Sequence, residues 1–230
     1  MVRSGTVDFG SDLPLATADF TPKDRIPKTQ QLFMARASQM AVVAAEGALQ
    51  SSGLFGVGQE GPEDGEIGVY MGCGLGGAEI LQEGYRTYFV RQSRRGRPST
   101  VPMIMASGPA SHISMRFGLH GPTHTYSIAC ASSTVAIGEA FRAIRDGYLD
   151  TALSGGAEAM LNDGSIAAWE RLGVLASSHT DGPEASSRPF DLERTGFVLG
   201  EGAALLVLEA ESALQERAVD PIAEIIGYGV

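Results

Sequence analysis

The sequence predicts an α/β protein in which strands and helices alternate along the chain. Short apolar runs rich in β-branched residues are separated by longer segments whose apolar residues recur at helical spacing. The 230 residues also include 30 glycines, a count typical of tight turns and of close packing between strands and helices. We therefore expect a layered sheet covered by helices.

The elements follow in order from the N-terminus. Residues 1–27 show little periodicity and are predicted to be an irregular lead-in. A long helix is expected over residues 28–54, because its apolar residues follow a helical spacing up to Gly53. A loop rich in glycine, proline and acidic residues is predicted at 55–65, followed by a buried strand at 66–74.

The second part of the chain continues the alternation. Helices are expected at 75–92, 103–117, 165–176 and 211–218, with a basic loop at 93–100. Strands are expected at 123–129, 150–160, 203–210 and 222–230. Because no opening strand is evident and the last one reaches Val230, the fold is expected to be incomplete at both ends.

Composition limits the classes of function. The chain is 43% hydrophobic and 19% charged, as is usual for a soluble globular protein, and it shows neither a membrane-spanning run nor a signal peptide. A net charge of −10 argues against nucleic acid as the main partner. Cys73 and Cys130 have no metal-ligand spacing and form no disulfide framework, so we expect a cytoplasmic protein without metal or cofactor.

Cys130 stands at the junction between a predicted strand and a predicted helix, in the stretch "YSIACASSTVAIGEAFRAI". Unpaired N–H groups and the positive end of the helix dipole gather there, and they favour the thiolate, which is the nucleophilic form. The small neighbours leave room for an acyl group and let backbone donors approach its carbonyl. These residues alone equally allow a small cysteine that packs in a buried corner.

A glycine-rich turn, "GCGLGG", follows the first buried strand. Gly72, Gly74 and Gly77 formally match the dinucleotide-binding fingerprint. However, arginines stand where the ribose-binding acid would be expected, and a helix already precedes the strand. Close strand–helix packing is the favoured interpretation, and a nucleotide-binding module stays as an alternative.

Three motifs occur in a fixed order: "YSIACASS", "ALSGGAEAM" and "SSRPFDLERTGFVLGEGAALLVLE". With these motifs, the chain from about Thr29 to Val230 resembles the β-ketoacyl synthases, the condensing enzymes of fatty-acid and polyketide synthesis. The resemblance implies a thiolase-like layered α/β/α fold, of which this chain is the N-terminal half. It divides the chain into a lead-in at 1–27, the N-terminal thiolase-like domain at 28–218 and the start of a C-terminal half at 219–230.

The resemblance also implies a mechanism. Cys130 would take an acyl chain from a carrier-protein thioester, with its own backbone N–H as one oxyanion donor. A malonyl-type extender would then lose carbon dioxide and attack the acyl-cysteine, which gives a 3-oxoacyl thioester. Met105 and Trp169 fall near family positions that line the acyl pocket, although both would also suit an ordinary core.

The sequence departs from the family in its other catalytic groups. The family uses two further histidines, a helper lysine and a "GFGG"-like loop, and none of these motifs is found here. Structural or surface roles are expected for all four histidines of the chain, His112, His120, His124 and His179. His124 lies about 20 Å from Cys130 along an extended strand, which is too far for proton transfer. We expect a half-enzyme that carries the nucleophile without the decarboxylation groups.

The expected partners are an acyl carrier protein and a second subunit, in a homodimer or heterodimer formed through residues 123–129. Two basic groups are candidates for carrier docking, although a solvated basic loop explains them as well: Arg86, Arg91, Arg94, Arg95 and Arg97, then Lys23, Arg25, Lys28 and Arg36. Nucleic acid and membranes are not expected as partners. A non-catalytic partner or scaffold subunit of a condensing complex is the alternative function.

Overall fold

The computed structural model describes residues 2–6, 12–23, 25–55 and 66–229, so nearly all of the loop predicted at 55–65 lies outside the described residues. The strands are β1 (Val2–Thr6), β2 (Asp12–Ala16), β3 (Gly68–Gly72), β4 (Thr123–Tyr126), β5 (Thr151–Ala159) and β6 (Leu199–Glu209). They form one mixed sheet in the order β1-β2-β6-β5-β3-β4.

Helices fill most of the connections. They are α1 (Lys28–Gln31), α2 (Arg36–Ser51), α3 (Ala78–Tyr85), α4 (Thr100–Ile104), α5 (Gly108–Phe117), α6 (Ser132–Arg145), α7 (Asp163–Arg171) and α8 (Glu211–Arg217). A π-helical turn, Arg86–Val90, extends α3, and the basic loop predicted after it carries no strand or helix before α4.

Parallel pairing in the middle of the sheet positions the site. β3 is parallel to both β4 and β5, with Gly72 opposite Tyr126 on one side and Gly156 on the other. Because parallel strands end at the same edge of a sheet, the residues that follow these strands meet there. β6 pairs antiparallel with the other edge of β5. The pairing runs from Thr151 opposite Glu209 to Ala159 opposite Glu201.

Helices cover both faces of the sheet. Val69 and Met71 of β3 belong to the larger core, which packs beneath α2 and α5. Tyr70 points to the opposite face and packs with Ala136 and Ala140 of α6. This alternation along β3 follows from the two-residue period of a strand, and it yields the layered α/β/α architecture that the sequence predicts.

The prediction of an irregular lead-in over 1–27 is wrong for residues 2–6 and 12–16, whereas the described residues 17–23 and 25–27 carry no strand or helix. β1 and β2 form an antiparallel hairpin, and β2 continues the sheet through Leu15 opposite Leu199 of β6. That partner lies far away in the sequence, so the local pattern carries no signal for it.

Two of the predicted helices are broken. The segment 28–54 contains α1 and α2, which are separated by residues that include an extended Ala35. α2 begins at Arg36, whose backbone N–H donates to Oε1 of Glu79 at 2.9 Å. The segment 103–117 is divided at Met105, whose backbone is extended, and α5 restarts with Pro109 in its first turn.

The strand predicted at 222–230 is absent from the described residues 222–229. A strand needs a neighbour for its backbone groups, and no strand of the described chain pairs with this segment. Instead the ring of Tyr228 packs on α6, where the Arg142 guanidinium lies 4.8 Å from the ring centroid. A Cβ on Gly138 would stand 2.2 Å from that ring, so the packing requires glycine there.

Candidate active site

Cys130 lies on a short turn between β4 and α6. β4 ends at Tyr126 rather than at Ala129, and Ala129–Ala131 form one 3₁₀ turn before α6 begins at Ser132. The thiol therefore stands just ahead of the helix N-terminus instead of inside its first turn. Cys130 is exposed, which makes it accessible to a substrate.

The turn is strained next to the cysteine. Ala129 has φ 47°, a left-handed conformation that costs a non-glycine residue about 1–3 kcal/mol. Ser132, which is buried, holds it: its hydroxyl accepts from the N–H of Ile128 at 2.8 Å and donates to the carbonyl of Ala129 at 2.7 Å. Cys130, which is exposed, follows this bend directly.

Glycines let the sheet approach this turn. A Cβ on Gly72 would lie 2.3 Å from the backbone nitrogen of Ser133, and one on Gly156 would lie 2.7 Å from the Ser133 Cβ. Gly77 is equally confined, since a Cβ there would meet the carbonyl oxygen of Met103 at 2.2 Å. Close packing, the interpretation that the sequence favoured, thus accounts for Gly72 and Gly77.

A cavity of about 850 Å³ opens beside the turn and is lined by Cys130, Cys73 and Glu158 together with many glycines and alanines. Its larger apolar side chains are Leu75, Met160, Trp169, Phe197 and Leu199. Such walls would accept an aliphatic chain, and the exposed thiol would then face the polar end of that chain.

The two predicted pocket residues differ in their placement. Trp169 lines the cavity, where its Nε1 donates to Sδ of Met160 at 3.3 Å and its ring meets Phe197 edge-on at 5.5 Å. Met105 is not among the described residues that line this cavity, because its backbone packs against Gly76 and its side chain is half exposed. The assignment of Met105 to the acyl pocket stays a prediction.

Cys73 is the second sulfur of the cavity and has the opposite environment. It is 2% exposed, and burial raises the pKa of its thiol to about 11, with smaller contributions from the nearby carboxylates of Glu158 and Glu79. At neutral pH this thiol stays protonated. Of the two sulfurs, Cys130 is therefore the candidate nucleophile.

Glu158 is a site residue that the sequence prediction missed. It lies near the end of β5, and its Oε2 accepts hydrogen bonds from the backbone N–H groups of Gly74 at 2.7 Å and Leu75 at 3.2 Å. Its signal in the sequence is its isolation, because it is the one charged residue between Asp150 and Asp163. A charge near the end of an otherwise apolar strand rarely serves packing alone.

None of the four histidines, all of which the structure describes, lines the cavity. His112 Nε2 lies 3.1 Å from the carbonyl of Phe33, and burial lowers the pKa of that imidazole. His124 on β4 packs against Tyr70 on β3, and His179 contacts Arg188 in the loop before β6. The structural or surface roles expected for all four histidines stay a prediction.

Ion pairs occupy part of each basic group. Arg86 pairs with Asp163, and Arg91 pairs with Glu83 at 2.7 Å. In the second group, Arg25 and Arg36 pair with Glu46 and Glu201. Arg94 and Arg95 are exposed, and neither side chain has an acidic partner among the described residues. Arg97 is likewise exposed and without an acidic partner among these residues, so the loop keeps unpaired positive charge.

The described residues contain no group of three or more histidine, cysteine, aspartate or glutamate side chains placed to hold a metal ion. Across the same part of the chain, no helix is both long and apolar enough to cross a membrane.

Comparison with known proteins identifies the family of this chain. The model described as "Beta-ketoacyl synthase, N-terminal domain" matches residues 15–213. The 3-oxoacyl-[acyl-carrier-protein] synthase 2 of Staphylococcus aureus is 34% identical over 229 residues, which cover 100% of this chain and 56% of that protein.

Solved structures agree with this match. A β-ketoacyl synthase from Burkholderia phymatum STM815 superposes with a TM-score of 0.81 at 32% identity, over 94% of this chain and 53% of the other. A type II PKS acyl-carrier protein in complex with its ketosynthase (AntDE:AntF) gives a TM-score of 0.79 at 26% identity, over 95% of this chain and 53% of the matched chain. The chain spans about half the length of these relatives, and their likeness confirms the thiolase-like fold. This chain belongs to the β-ketoacyl synthase family and corresponds to the N-terminal domain of that family.

Proposed function

We propose that this chain carries the acyl-accepting half of a β-ketoacyl synthase, with Cys130 as the nucleophile. The observation that supports this most directly is the exposed thiol on a strained turn beside a large apolar cavity. The turn holds the sulfur at one place, and the cavity offers space for the chain that the sulfur would receive.

The proposed first step is acyl transfer. The thiolate of Cys130 attacks the carbonyl carbon of an acyl thioester, and a tetrahedral oxyanion forms with the Cys130 backbone N–H as one donor. The carbonyl reforms, the bond to the carrier sulfur breaks, and that sulfur leaves as a thiolate that takes a proton from solvent.

The proposed second step, condensation with a malonyl-type thioester, requires the decarboxylation groups of a complete synthase in addition to this chain. The extender loses carbon dioxide, and the resulting carbanion attacks the acyl-cysteine carbonyl. A carbon–carbon bond forms, the Cys130 thiolate leaves, and the product is a 3-oxoacyl thioester. The apolar wall around Trp169 would contact the acyl chain, in either fatty-acid or polyketide synthesis.

The test of this function is acylation by a thioester donor. Purified protein is incubated with an acyl carrier protein that bears the acyl group, then digested and examined by mass spectrometry. We expect the mass of the acyl group on the peptide that contains Cys130. A non-catalytic partner subunit would carry no such adduct.

We expect carrier docking to depend on Arg94 and Arg95. Changing both to glutamate should slow acylation by an acyl carrier protein about tenfold or more, because exposed positive charges steer an acidic partner to its site. Acylation by a small acyl thioester should be unchanged. The two rates are measured side by side at low and high salt.

The matched control changes Arg116 and Arg171 to glutamate, since both are exposed arginines and the change in net charge is the same. This variant should keep the wild-type preference for the carrier-bound donor. Equal slowing of both donors by the Arg94 and Arg95 changes would rule out docking at this loop.

We also expect subunits to associate through β4, which lies at the edge of the sheet. The carbonyls of Pro122 and Tyr126 accept hydrogen bonds from β3. Because the backbone groups of successive strand residues point to opposite sides, the N–H of Thr125 points away from β3. Thr125→Pro removes this outward donor and should shift a dimer toward monomer in light scattering.

Thr125→Ala keeps the backbone N–H and serves as the control, so it should remain associated. A wild-type protein that stays monomeric at high concentration would contradict the edge-strand proposal. A partner chain that purifies with the protein would favour the heterodimer over the homodimer.

The nucleotide-binding alternative loses its structural basis at "GCGLGG". The N–H groups of Gly74 and Leu75, which a pyrophosphate would need, already donate to Glu158. A cytoplasmic location stays a prediction.

A further inference from the structure

Glu158 holds the loop that forms one wall of the cavity. Its Oε2 accepts from two successive backbone N–H groups, those of Gly74 and Leu75, at 2.7 and 3.2 Å. The approach is so close that a Cβ on Gly74 would lie 2.6 Å from the same oxygen. The carboxylate thus fixes the loop through its backbone, and a side chain at position 74 would have to displace that oxygen.

The same loop is held from its other side by the chain that leads to Cys130. The carbonyl of Gly74 accepts from the hydroxyl of Ser127 at 3.0 Å, and the N–H of Cys73 donates to the carbonyl of Tyr126 at 3.1 Å. A continuous path of contacts therefore runs from Glu158 through Gly74 to Ser127, and from there along the backbone to the strained turn.

Glu158 occupies this place at an energetic cost. Its Oε1 is buried and has no hydrogen-bond partner in the described structure. Burial raises the pKa of its carboxyl group; the N–H groups of Gly74, Leu75 and Ala159 oppose that shift, and the charge of Glu79 adds to it. A buried carboxyl group with one unpaired oxygen costs folding free energy, so stability alone does not account for its presence on a cavity wall. Such groups cluster at functional sites.

We propose that Glu158 is a positioning residue for acyl transfer at Cys130, acting through the Gly74 peptide and Ser127. It keeps residues 73–75 in place against the turn, so that the cavity wall and the thiol hold one relative arrangement. This inference rests on the proposed function of Cys130 and adds a residue that acts without touching the reacting sulfur.

A double-mutant cycle tests the path. Glu158→Ala and Ser127→Ala should each lower the rate of Cys130 acylation by a small acyl thioester about tenfold, since each removes one restraint on the same peptide. The double variant should be little slower than the slower single variant, because either change alone already frees the peptide.

Glu158→Gln is the conservative variant. Its amide oxygen can still accept from Gly74 and Leu75, so the acylation rate should recover to within about threefold of wild type. The loss of the charge should also remove the pH dependence of stability that the raised pKa of Glu158 predicts. An acid whose pKa is raised on folding binds its proton more tightly in the folded state, so the wild-type protein should lose stability as pH rises above the ordinary pKa of glutamate.

Glu46→Ala combined with Ser127→Ala provides the control cycle. Glu46 pairs with Arg25 at 2.7 Å, and neither residue lines the cavity. Its effect and that of Ser127→Ala should therefore multiply as independent changes.

Multiplicative effects of Glu158→Ala and Ser127→Ala, or a Glu158→Gln rate no better than that of Glu158→Ala, would overturn the proposal. If the wild-type protein accepted no acyl group, the proposed function would fail instead. In that case the same cycle is measured with the rate of iodoacetamide alkylation of Cys130. This rate tests the positioning role of Glu158 independently of acyl transfer.

Discussion

Replacing Cys130 by alanine is expected to abolish acylation, with a fall in rate of at least about 10³-fold. Loss of the attacking atom removes the covalent step altogether, and nucleophile deletions in other enzymes have effects of this size or larger. The measurement is the rate of adduct formation from a radiolabelled or mass-tagged acyl thioester. The protein should keep its thermal unfolding midpoint, because Cys130 is exposed and its side chain contributes little to the core.

Cys73 provides an internal control for this prediction. Burial raises the pKa of the Cys73 thiol to about 11, so this thiol stays largely protonated well above neutral pH. Iodoacetamide near neutral pH should therefore modify Cys130 first, and labelling of Cys73 should rise about tenfold per pH unit as the pH approaches 11. Preferential labelling of Cys73 in the folded protein at neutral pH would contradict the assignment of the nucleophile.

The middle strands of the sheet and the strand–helix junction at Cys130 could be predicted because their signals are local. The run around Val69 to Gly72 is buried on both faces, so it is continuously apolar, and the helix after Cys130 has a clear apolar stripe. β1 and β2 were missed because β2 is stabilised by pairing with β6, nearly the whole chain away. The segment 222–229 shows the opposite error, since its strand-like pattern has no partner strand in the described structure.

The site was predicted in part for the same reason. Cys130 is indicated by its place between a strand and a helix, and Trp169 by the family resemblance; both line one cavity. The strained backbone of Ala129 and the bonds from Glu158 to Gly74 depend on contacts between distant segments, which periodicity does not contain. Glu158 could have been suspected from its isolation in an apolar strand, but its partners could not.

We expect this chain by itself to stop after acyl transfer. Decarboxylation develops negative charge on the extender, and an enzyme must place donors against that charge. Among the described residues, the cavity is lined by neither histidine nor lysine. One missing oxyanion donor typically costs about 10²–10³ in rate, so the absence of several groups should lower turnover at least about 10⁴-fold relative to a complete β-ketoacyl synthase.

The assay supplies the chain with an acyl donor and a malonyl carrier protein, and it follows both carbon dioxide release and the 3-oxoacyl product. Acylation of Cys130 without either product is the expected result, because one nucleophile and one backbone donor suffice for a slow transfer but offer nothing to the carboxylate that must leave. Turnover close to that of the complete Staphylococcus aureus relative would refute the half-site. It would mean that a histidine has reached the cavity by rearrangement, and single alanine variants of His112, His120, His124 and His179 would then identify it, since only the recruited residue should be needed for carbon dioxide release.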